Sequence, residues 1–181
     1  MLKQVPEAIV GPRLRLRRST PADAQAVFEA AADAEVMRYM DWPAHRSVAD
    51  AQTYLDGVAD RWAAGAEYHW IIEPRAGGAL LGCMACRVKG HAADFGYFLP
   101  RSAWGRGVAT EAGGLLIGWL ERQPSILRIW ATTDIDNLRS ARVLEKLGLQ
   151  REGVLRMATW RPNIGGLPRD TVMYARCKAA G

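Results

Sequence analysis

At 181 residues with 49% hydrophobic side chains, the chain fits one domain able to bury roughly 70% of its unfolded surface, and no apolar stretch approaches the roughly 20 residues of a membrane span. Its formal net charge of +5 raises nucleic acid as a partner, but the arginines are spread along the chain with no basic run beyond Arg17-Arg18, whereas binding needs clustered charge beside exposed aromatics. The opening Met1-Leu2-Lys3-Gln4-Val5-Pro6 has no signal-peptide core, so a cytoplasmic protein is expected.

A first strand is expected over roughly residues 12 to 18, where Arg13, Arg15 and Arg17 alternate with Leu14 and Leu16 and read as its solvent face. Thr20-Pro21-Ala22-Asp23 then supplies a helix start: a capping hydroxyl, proline at the first position and an acid at the third. Ala24, Val27, Phe28 and Ala31 form that helix's apolar face. Ser47-Val48-Ala49-Asp50 opens a second helix, with Ala51, Leu55, Val58 and Trp62 facing inward and Gly65 as its C-terminal cap. A meander follows, with strands at about 67 to 73, 79 to 89 and 93 to 99 separated by Arg75-Ala76-Gly77-Gly78 and Gly90-His91. Cys83 and Cys86 lie three apart in the middle strand and so face opposite sides of a sheet. They read as core thiols; with Cys177 they show neither disulfide-framework nor zinc spacing, and no metal is expected.

The third strand of the meander, Phe95-Gly96-Tyr97-Phe98-Leu99, is followed by Trp104-Gly105-Arg106-Gly107-Val108-Ala109. That segment opens a helix with apolar positions Val108, Ala112, Leu115, Leu116, Trp119 and Leu120. Two glycines at a strand-to-helix junction let an anion approach without meeting a Cβ, and the first helical amides point outward with the positive end of the dipole behind them. A phosphate or pyrophosphate is the expected guest; a plain tight turn is the alternative. No Lys-Ser/Thr follows the glycines, as a P-loop requires, and the third glycine of a dinucleotide fingerprint is absent. Gly113, Gly114 and Gly118 within the helix each cost about 1 kcal/mol relative to alanine, which predicts close packing of the helix on the sheet. A strand near 126 to 132, a helix capped by Asn137 and ended by Gly148, and strands at about 152 to 161 and 170 to 177 complete the order.

Gly105-Arg106-Gly107-Val108-Ala109 after a strand, then Asn137-Leu138-Arg139-Ser140 and Glu145-Lys146-Leu147-Gly148-Leu149, resembles the GNAT superfamily of acetyl-CoA-dependent N-acetyltransferases. The resemblance is closest to its RimJ/RimL-like branch, which includes enzymes acetylating ribosomal-protein N-termini. It runs from Arg13-Leu14-Arg15-Leu16-Arg17 to Asp170-Thr171-Val172-Met173-Tyr174. It implies one domain over residues 1–181 with an α/β (α+β) fold: a central mixed, mostly antiparallel twisted sheet of about seven strands flanked by about four helices. Acetyl-CoA is the implied cosubstrate, and the implied reaction moves its acetyl group to a primary amine by direct attack in a ternary complex. A protein N-terminal α-amine is one acceptor. An amino acid, polyamine or antibiotic is the alternative, as is a non-catalytic acyl-CoA-binding module. Neither a nucleic acid nor a membrane is expected as a partner, and a homodimer is left open.

The resemblance also implies roles for particular residues. The pantetheine arm pairs with the backbone of Tyr97, Phe98 and Leu99, and the amide of Phe98 or Leu99 polarises the thioester oxygen. The loop Trp104, Gly105, Arg106, Gly107, Val108, Ala109 and Thr110 holds the pyrophosphate through backbone amides, with Trp104 standing where many GNAT loops have glutamine or arginine. Asn137, Ser140 and Arg142 are further coenzyme contacts; Arg101, Arg106, Arg139 and Arg142 give a positive rim. Many members use a tyrosine seven residues after the capping asparagine as the acid that protonates the thiol. Leu144 stands there, so the role falls to Ser140, for which a first-turn serine satisfying the backbone is the alternative. Asp94 is the expected base, with Asp41, Glu67 and His69 as rivals and a surface strand-end aspartate as the bland reading. Met40, Asp41, Trp42 and Trp160 are expected in the acceptor pocket, on the loop between the first two helices and on the late hairpin that also carries Arg161 and Asn163. An α-amine, with pKa about 7.7 to 8.0, is an easier acceptor than a lysine near 10.4 where no strong base is visible.

Overall fold

Strand formation begins earlier than the alternation of leucine and arginine predicts. The computed structural model describes residues 5–178; Met1–Gln4, read above for a leader, and Ala179–Gly181 lie outside the described residues. Within them, β1 (Ala8–Val10) runs antiparallel to β2 (Leu14–Arg18), and only Ile9 of its three residues is buried. One inward side chain is too short a pattern to register as period-two alternation.

A 3-10 turn at Pro21–Asp23 leads into α1 (Ala24–Ala31), a single helical turn forms α2 (Ala34–Met37), and α3 (Val48–Ala63) follows. Both expected caps are formed. The Thr20 N–H donates to Asp23 Oδ2 at 2.8 Å, and the Asp50 N–H donates to Ser47 Oγ at 3.3 Å. The meander is β3 (Tyr68–Pro74), β4 (Gly82–Lys89) and β5 (Ala92–Phe98). Then come α4 (Val108–Glu121), β6 (Arg128–Asp134), α5 (Leu138–Lys146), β7 (Gln150–Thr159) and β8 (Arg169–Cys177). The described residues therefore give eight strands and five α-helices rather than about seven and four, the additions being β1 and α2. No helix among them is long and apolar enough to cross a membrane.

The strands form one sheet in the order β1-β2-β3-β4-β5-β6-β8-β7, antiparallel everywhere except between β5 and β6. Alternation along each strand divides the core between the two faces. On one face Leu16, Trp70, Ile72, Met84 and Ile129 join Leu116 and Leu120 of α4 and Leu144 of α5. On the other, Ile71, Cys83 and Phe98 join Val27, Met37 and Leu55 of the first three helices. Burying each large side chain stabilises the fold by about 1.5 to 3 kcal/mol. Cys83 and Cys86 fall in different clusters, as their spacing predicts, and both thiols are free and buried.

Two expectations need correction. The glycines of α4 do not mark contact with the sheet. A Cβ at Gly113 would come 2.6 Å from Leu147 Cδ1 at the end of α5, while Gly114 and Gly118 have only ordinary clearance. Nor are the arginines of β2 a plain solvent face. Arg15 and Arg17 both engage Glu73, which is 3% exposed, and Arg17 also reaches Asp23 at 2.6 Å. Burial would raise the Asp23 carboxyl, but hydrogen bonds from Arg17 and the Thr20 N–H hold it below the usual carboxylate range.

Replacing Glu73 leaves two guanidiniums without their shared carboxylate in a partly desolvated place, so Glu73→Gln is expected to lower the unfolding free energy by about 2 to 4 kcal/mol. Glu7→Gln, which breaks the exposed pair with Arg18, is expected to cost under about 1 kcal/mol. Urea denaturation of both variants checks the contrast, and equal losses would remove the structural role given to Glu73.

Candidate active site

β5 and β6 begin as parallel neighbours and then part. They pair at Ala92–Arg128, Ala93–Ile129 and Asp94–Trp130 only. Beyond that point β5 is held by β4 as far as Phe98, and β6 by β8 as far as Asp134. The facing edges have no strand partner among the described residues, so main-chain groups of Phe95–Phe98 and Ala131–Asp134 border a cleft of about 1210 Å³. An extended chain inserted there can add its own hydrogen bonds to an open sheet edge.

The chain leaving β5 builds one end of the cleft. Gly105 and Gly107 adopt φ of 70° and 75°, left-handed values that a β-branched or bulky residue rarely takes. Gly107 is the N-cap of α4, and the first helical bond runs from the Glu111 N–H to the Gly107 carbonyl at 3.0 Å. The N–H groups of Val108, Ala109 and Thr110 are therefore open at the positive end of a 14-residue helix. All three residues line the cleft with Gly105, Gly107 and Trp104, whereas Arg106 does not: it donates to the Ser102 carbonyl at 3.2 Å. Trp104 braces the loop. Its indole N–H donates to the Leu99 carbonyl at 2.8 Å, and the Arg139 guanidinium lies 4.5 Å over its ring.

β6 feeds α5 in the same way. The Ser140 N–H donates to Asn137 Oδ1 at 3.2 Å, which is the cap the sequence predicts. Asn137, Ser140, Arg142 and the buried Leu144 line the cleft, as do Tyr97, Phe98 and Leu99. Tyr97 Oη stands 3.4 Å from Ser140 Oγ as its donor, a loose contact of the kind that tightens on ligand binding. Burial raises the Tyr97 phenol above its ordinary value, so the proton stays on it at neutral pH.

At the other end stand Met40, Asp41 and Trp42, all lining the cleft as expected. Trp42 stacks on Tyr54 of α3 with ring centroids 5.3 Å apart and meets Phe98 edge-on at 5.8 Å. This loop is tied to the late hairpin by one side chain. Asn163 Oδ1 accepts from the Ala44 N–H at 2.8 Å, and its Nδ2 donates to the carbonyls of Met37 and Trp42 at 2.7 and 2.8 Å.

Besides Arg106, two expected residues stand elsewhere. Trp160 is 62% exposed and is not part of the cleft lining. Asp94 also lies outside it, because its carboxylate accepts from Arg87 Nε at 2.9 Å. Glu67 and His69 do line the cleft. Glu67 lies 3.5 Å from both Arg61 and Arg87. His69 is buried, and burial together with Arg61 pushes its pKa down to about 4. Neither of its ring nitrogens has a hydrogen-bond partner among the described residues. Tyr54, Arg61, Arg87 and Thr133 were not singled out from sequence. For Arg87 the signal was present: strand parity places it with Ala85 and His69 on one face once the β3–β4 register is known.

Comparison with known proteins matches residues 13–150 to the family described as an acetyltransferase (GNAT) domain. The chain belongs to the GNAT acetyltransferase family. It is 31% identical over 169 residues to the uncharacterized N-acetyltransferase YoaA of Bacillus subtilis (strain 168), covering 92% of this chain and 94% of that protein. Among solved structures it resembles RimL, a ribosomal L7/L12 alpha-N-protein acetyltransferase in complex with coenzyme A, with a TM-score of 0.83 at 22% identity, over 94% of this chain and 98% of that one. The microcin C7 self-immunity acetyltransferase MccE, in complex with acetyl-CoA and AMP, gives a TM-score of 0.85 at 20% identity, over 96% and 98% of the two chains. These two likenesses concern the fold. The open strand edges and the exposed α4 amides fit the pantetheine and pyrophosphate of the GNAT cosubstrate acetyl-CoA.

Two measurements follow from this geometry. His69 is held neutral in the fold, taking a proton only near pH 4, while the unfolded chain takes one near pH 6.5. Unfolding therefore takes up a proton between these values, and stability falls as pH drops from 6.5 toward 4. His69→Gln is expected to flatten that part of the stability profile, measured by urea denaturation at each pH. Asn163→Ala is expected to cost about 1 to 3 kcal/mol through the unpartnered groups it leaves and to raise the acceptor KM more than that for acetyl-CoA in steady-state kinetics.

Proposed function

We propose that the protein transfers the acetyl group of acetyl-CoA to a protein N-terminal α-amine in a ternary complex in the cytoplasm, in the manner of the RimJ/RimL-like branch. The reading rests on one observation above the others: the splayed edges of β5 and β6, the open amides of α4 and a pair of hydroxyls converge on the same cleft. Acetyl-CoA supplies an activated acyl carbon, so an amine–carbon bond forms as the carbon–sulfur bond breaks and the departing sulfur takes a proton. Gly105, Gly107 and the amides of Val108, Ala109 and Thr110 hold the anionic end. The edge amides of Phe98 or Leu99 stabilise negative charge on the carbonyl oxygen.

Ser140 Oγ is the donor to sulfur, and Tyr97 behind it makes good the proton. A tyrosine hydroxyl is thus supplied from β5 where Leu144 of α5 has none. On the amine side three of the four candidate bases are constrained. Asp94 is bound to Arg87, Glu67 lies between two guanidiniums, and His69 is a weak base at about 4. Asp94 acts at one remove, by fixing Arg87 beside Glu67, and the Glu67 carboxylate steers the amine and receives its proton through water. Such a site suits an amine that is appreciably neutral at physiological pH. An α-amine with pKa about 7.7 to 8.0 meets that requirement and a lysine near 10.4 does not. The fold neighbour RimL is an alpha-N-protein acetyltransferase, an enzyme for an amine of this type.

The test is thiol release from acetyl-CoA with N-terminal peptides, amino acids, polyamines and aminoglycosides, alongside direct acetyl-CoA binding. Release that depends on peptides with a free N-terminus is the expected result. Ser140→Ala and Tyr97→Phe are each expected to lower kcat by about 10- to 100-fold with little change in acetyl-CoA KM. Acetyl-CoA binding with no release on any amine would overturn the transferase reading in favour of a binding module.

A further inference from the structure

Arg17 and Arg169 are partly buried, and each is held by carboxylates at hydrogen-bond distance. Arg17 has Asp23 and Glu73, and Arg169 holds Asp134 through Nε at 2.7 Å and Nη2 at 3.0 Å. Arg161 is 7% exposed, lines the cleft, and makes no side-chain hydrogen bond among the described residues. Its nearest carboxylate is Asp134, 3.7 Å from Nε, whose oxygens are already engaged by Arg169 and by the Asp136 N–H at 3.0 Å. The residue is not loosely held, because its carbonyl accepts the N–H groups of Ile164 and Gly165, each at 2.9 Å. A guanidinium this buried, with its Nε unpartnered and its one ion pair at 3.7 Å, is costly in a folded chain unless a ligand completes it.

We infer that Arg161 is an anion subsite for the acceptor, and that the acceptor is an amine carrying a carboxylate close to the reacting nitrogen. The inference rests on the transferase reading above and narrows its substrate class. A carboxylate matches the planar fork of the guanidinium and forms charge-assisted, bidentate hydrogen bonds that an amide cannot replace. Asp41 stands in the same cleft and acts on Arg161 through its charge, yet it lies within 4.0 Å of no cation among the described residues. The two offer a carboxylate with no cation in reach and a guanidinium whose one close carboxylate among the described residues, Asp134, is held more tightly by Arg169, which suits an amine at one end of the ligand and a carboxylate at the other. Burial lowers the Arg161 pKa even against the pull of Asp41 and Asp134, so these carboxylates do not replace the lost hydration. The chemistry is met equally by the α-carboxylate of a free amino acid and by an acidic side chain at the second position of a peptide.

Matched acceptors separate these sources. Thiol release is measured for an amino acid against its amide, and for C-terminally amidated Ser-Asp against Ser-Asn. The wild-type protein is expected to favour the carboxylate member of at least one pair by about tenfold or more in kcat/KM. The pair that shows the preference identifies which carboxylate is read. In Arg161→Gln the preference is expected to collapse toward unity, and in Arg161→Lys to be partly retained; thermal melting of both variants checks folding. Equal rates within both pairs, or a preference that survives in Arg161→Gln, would overturn the inference and leave the transferase intact. Calorimetric titration of the same compounds into coenzyme A-loaded protein separates the two claims. Arg161-dependent binding of the carboxylates without any release would sustain the subsite and remove the transferase reading, and neither binding preference nor release would remove both.

Discussion

Main-chain N–H and C=O groups inside a sheet must find hydrogen bonds, and β5 and β6 satisfy that demand together for three residue pairs only. Past Asp94 and Trp130 each strand is held on its outer side and open on its inner one. The parting sets where the connections leave. The chain from β5 turns through two left-handed glycines into α4, and the chain from β6 turns through Asn137 into α5, so two helix N-termini face one wedge. Open edges bind an extended arm and helix N-termini bind an anion, and both properties belong to the backbone. The coenzyme end of the cleft therefore depends little on which side chains surround it. Trp104 illustrates the point: it replaces the polar residue of many related loops, yet its ring serves as a brace between Leu99 and Arg139.

The opposite end, proposed above to take the acceptor, is organised by a different force. Six buried side-chain polar atoms lack partners among the described residues, and five of them, on Arg61, His69, Thr133 and Arg161, belong to residues lining the cleft. The sixth, His45 Nδ1, belongs to a ring 5.1 Å from Trp42. Buried polar groups are satisfied almost everywhere in folded proteins, so their gathering in one place marks a surface built for a guest. Charged groups farther along the same face behave in the opposite way. Arg15, Arg17, Glu73 and Asp23 close on one another beside α1 and leave nothing to offer.

This division explains what could be read from the sequence. Gly105, Gly107 and Asn137 are local signals, two strand-to-helix glycines and a helix cap, whose placement follows from strand-to-helix order, whereas the role of Ser140 comes from the family resemblance. Helix caps at Thr20 and Ser47 and the opposite facing of Cys83 and Cys86 were legible for the same reason. β1 was not, since three residues with one inward side chain make no pattern. Asp94 and Trp160 were drawn to the site by their positions in the chain, but a strand-end carboxylate takes whichever cation its neighbour supplies, and β4 supplies Arg87 directly opposite. The glycines of α4 suggested contact with the sheet because the packing partner that occupies Gly113, Leu147, comes from a helix whose docking no local signal reveals.

The acceptor end is harder to read because its parts meet only in three dimensions. Asn163 binds backbone groups of residues 37, 42 and 44, more than a hundred positions earlier in the chain. Its own neighbours in sequence carry no hint of that target, and an asparagine in a Pro/Gly-rich loop reads equally as turn chemistry. Arg161, two residues before it, is carried to the cleft by the same connection. Residues there can change without disturbing the brace of the glycine loop or the Asn137 cap, since neither of those contacts passes through them. One scaffold can thus keep its acetyl donor while the loop before α3 and the β7–β8 hairpin vary the amine it accepts, which places acceptor identity in the segments least visible to motif reading.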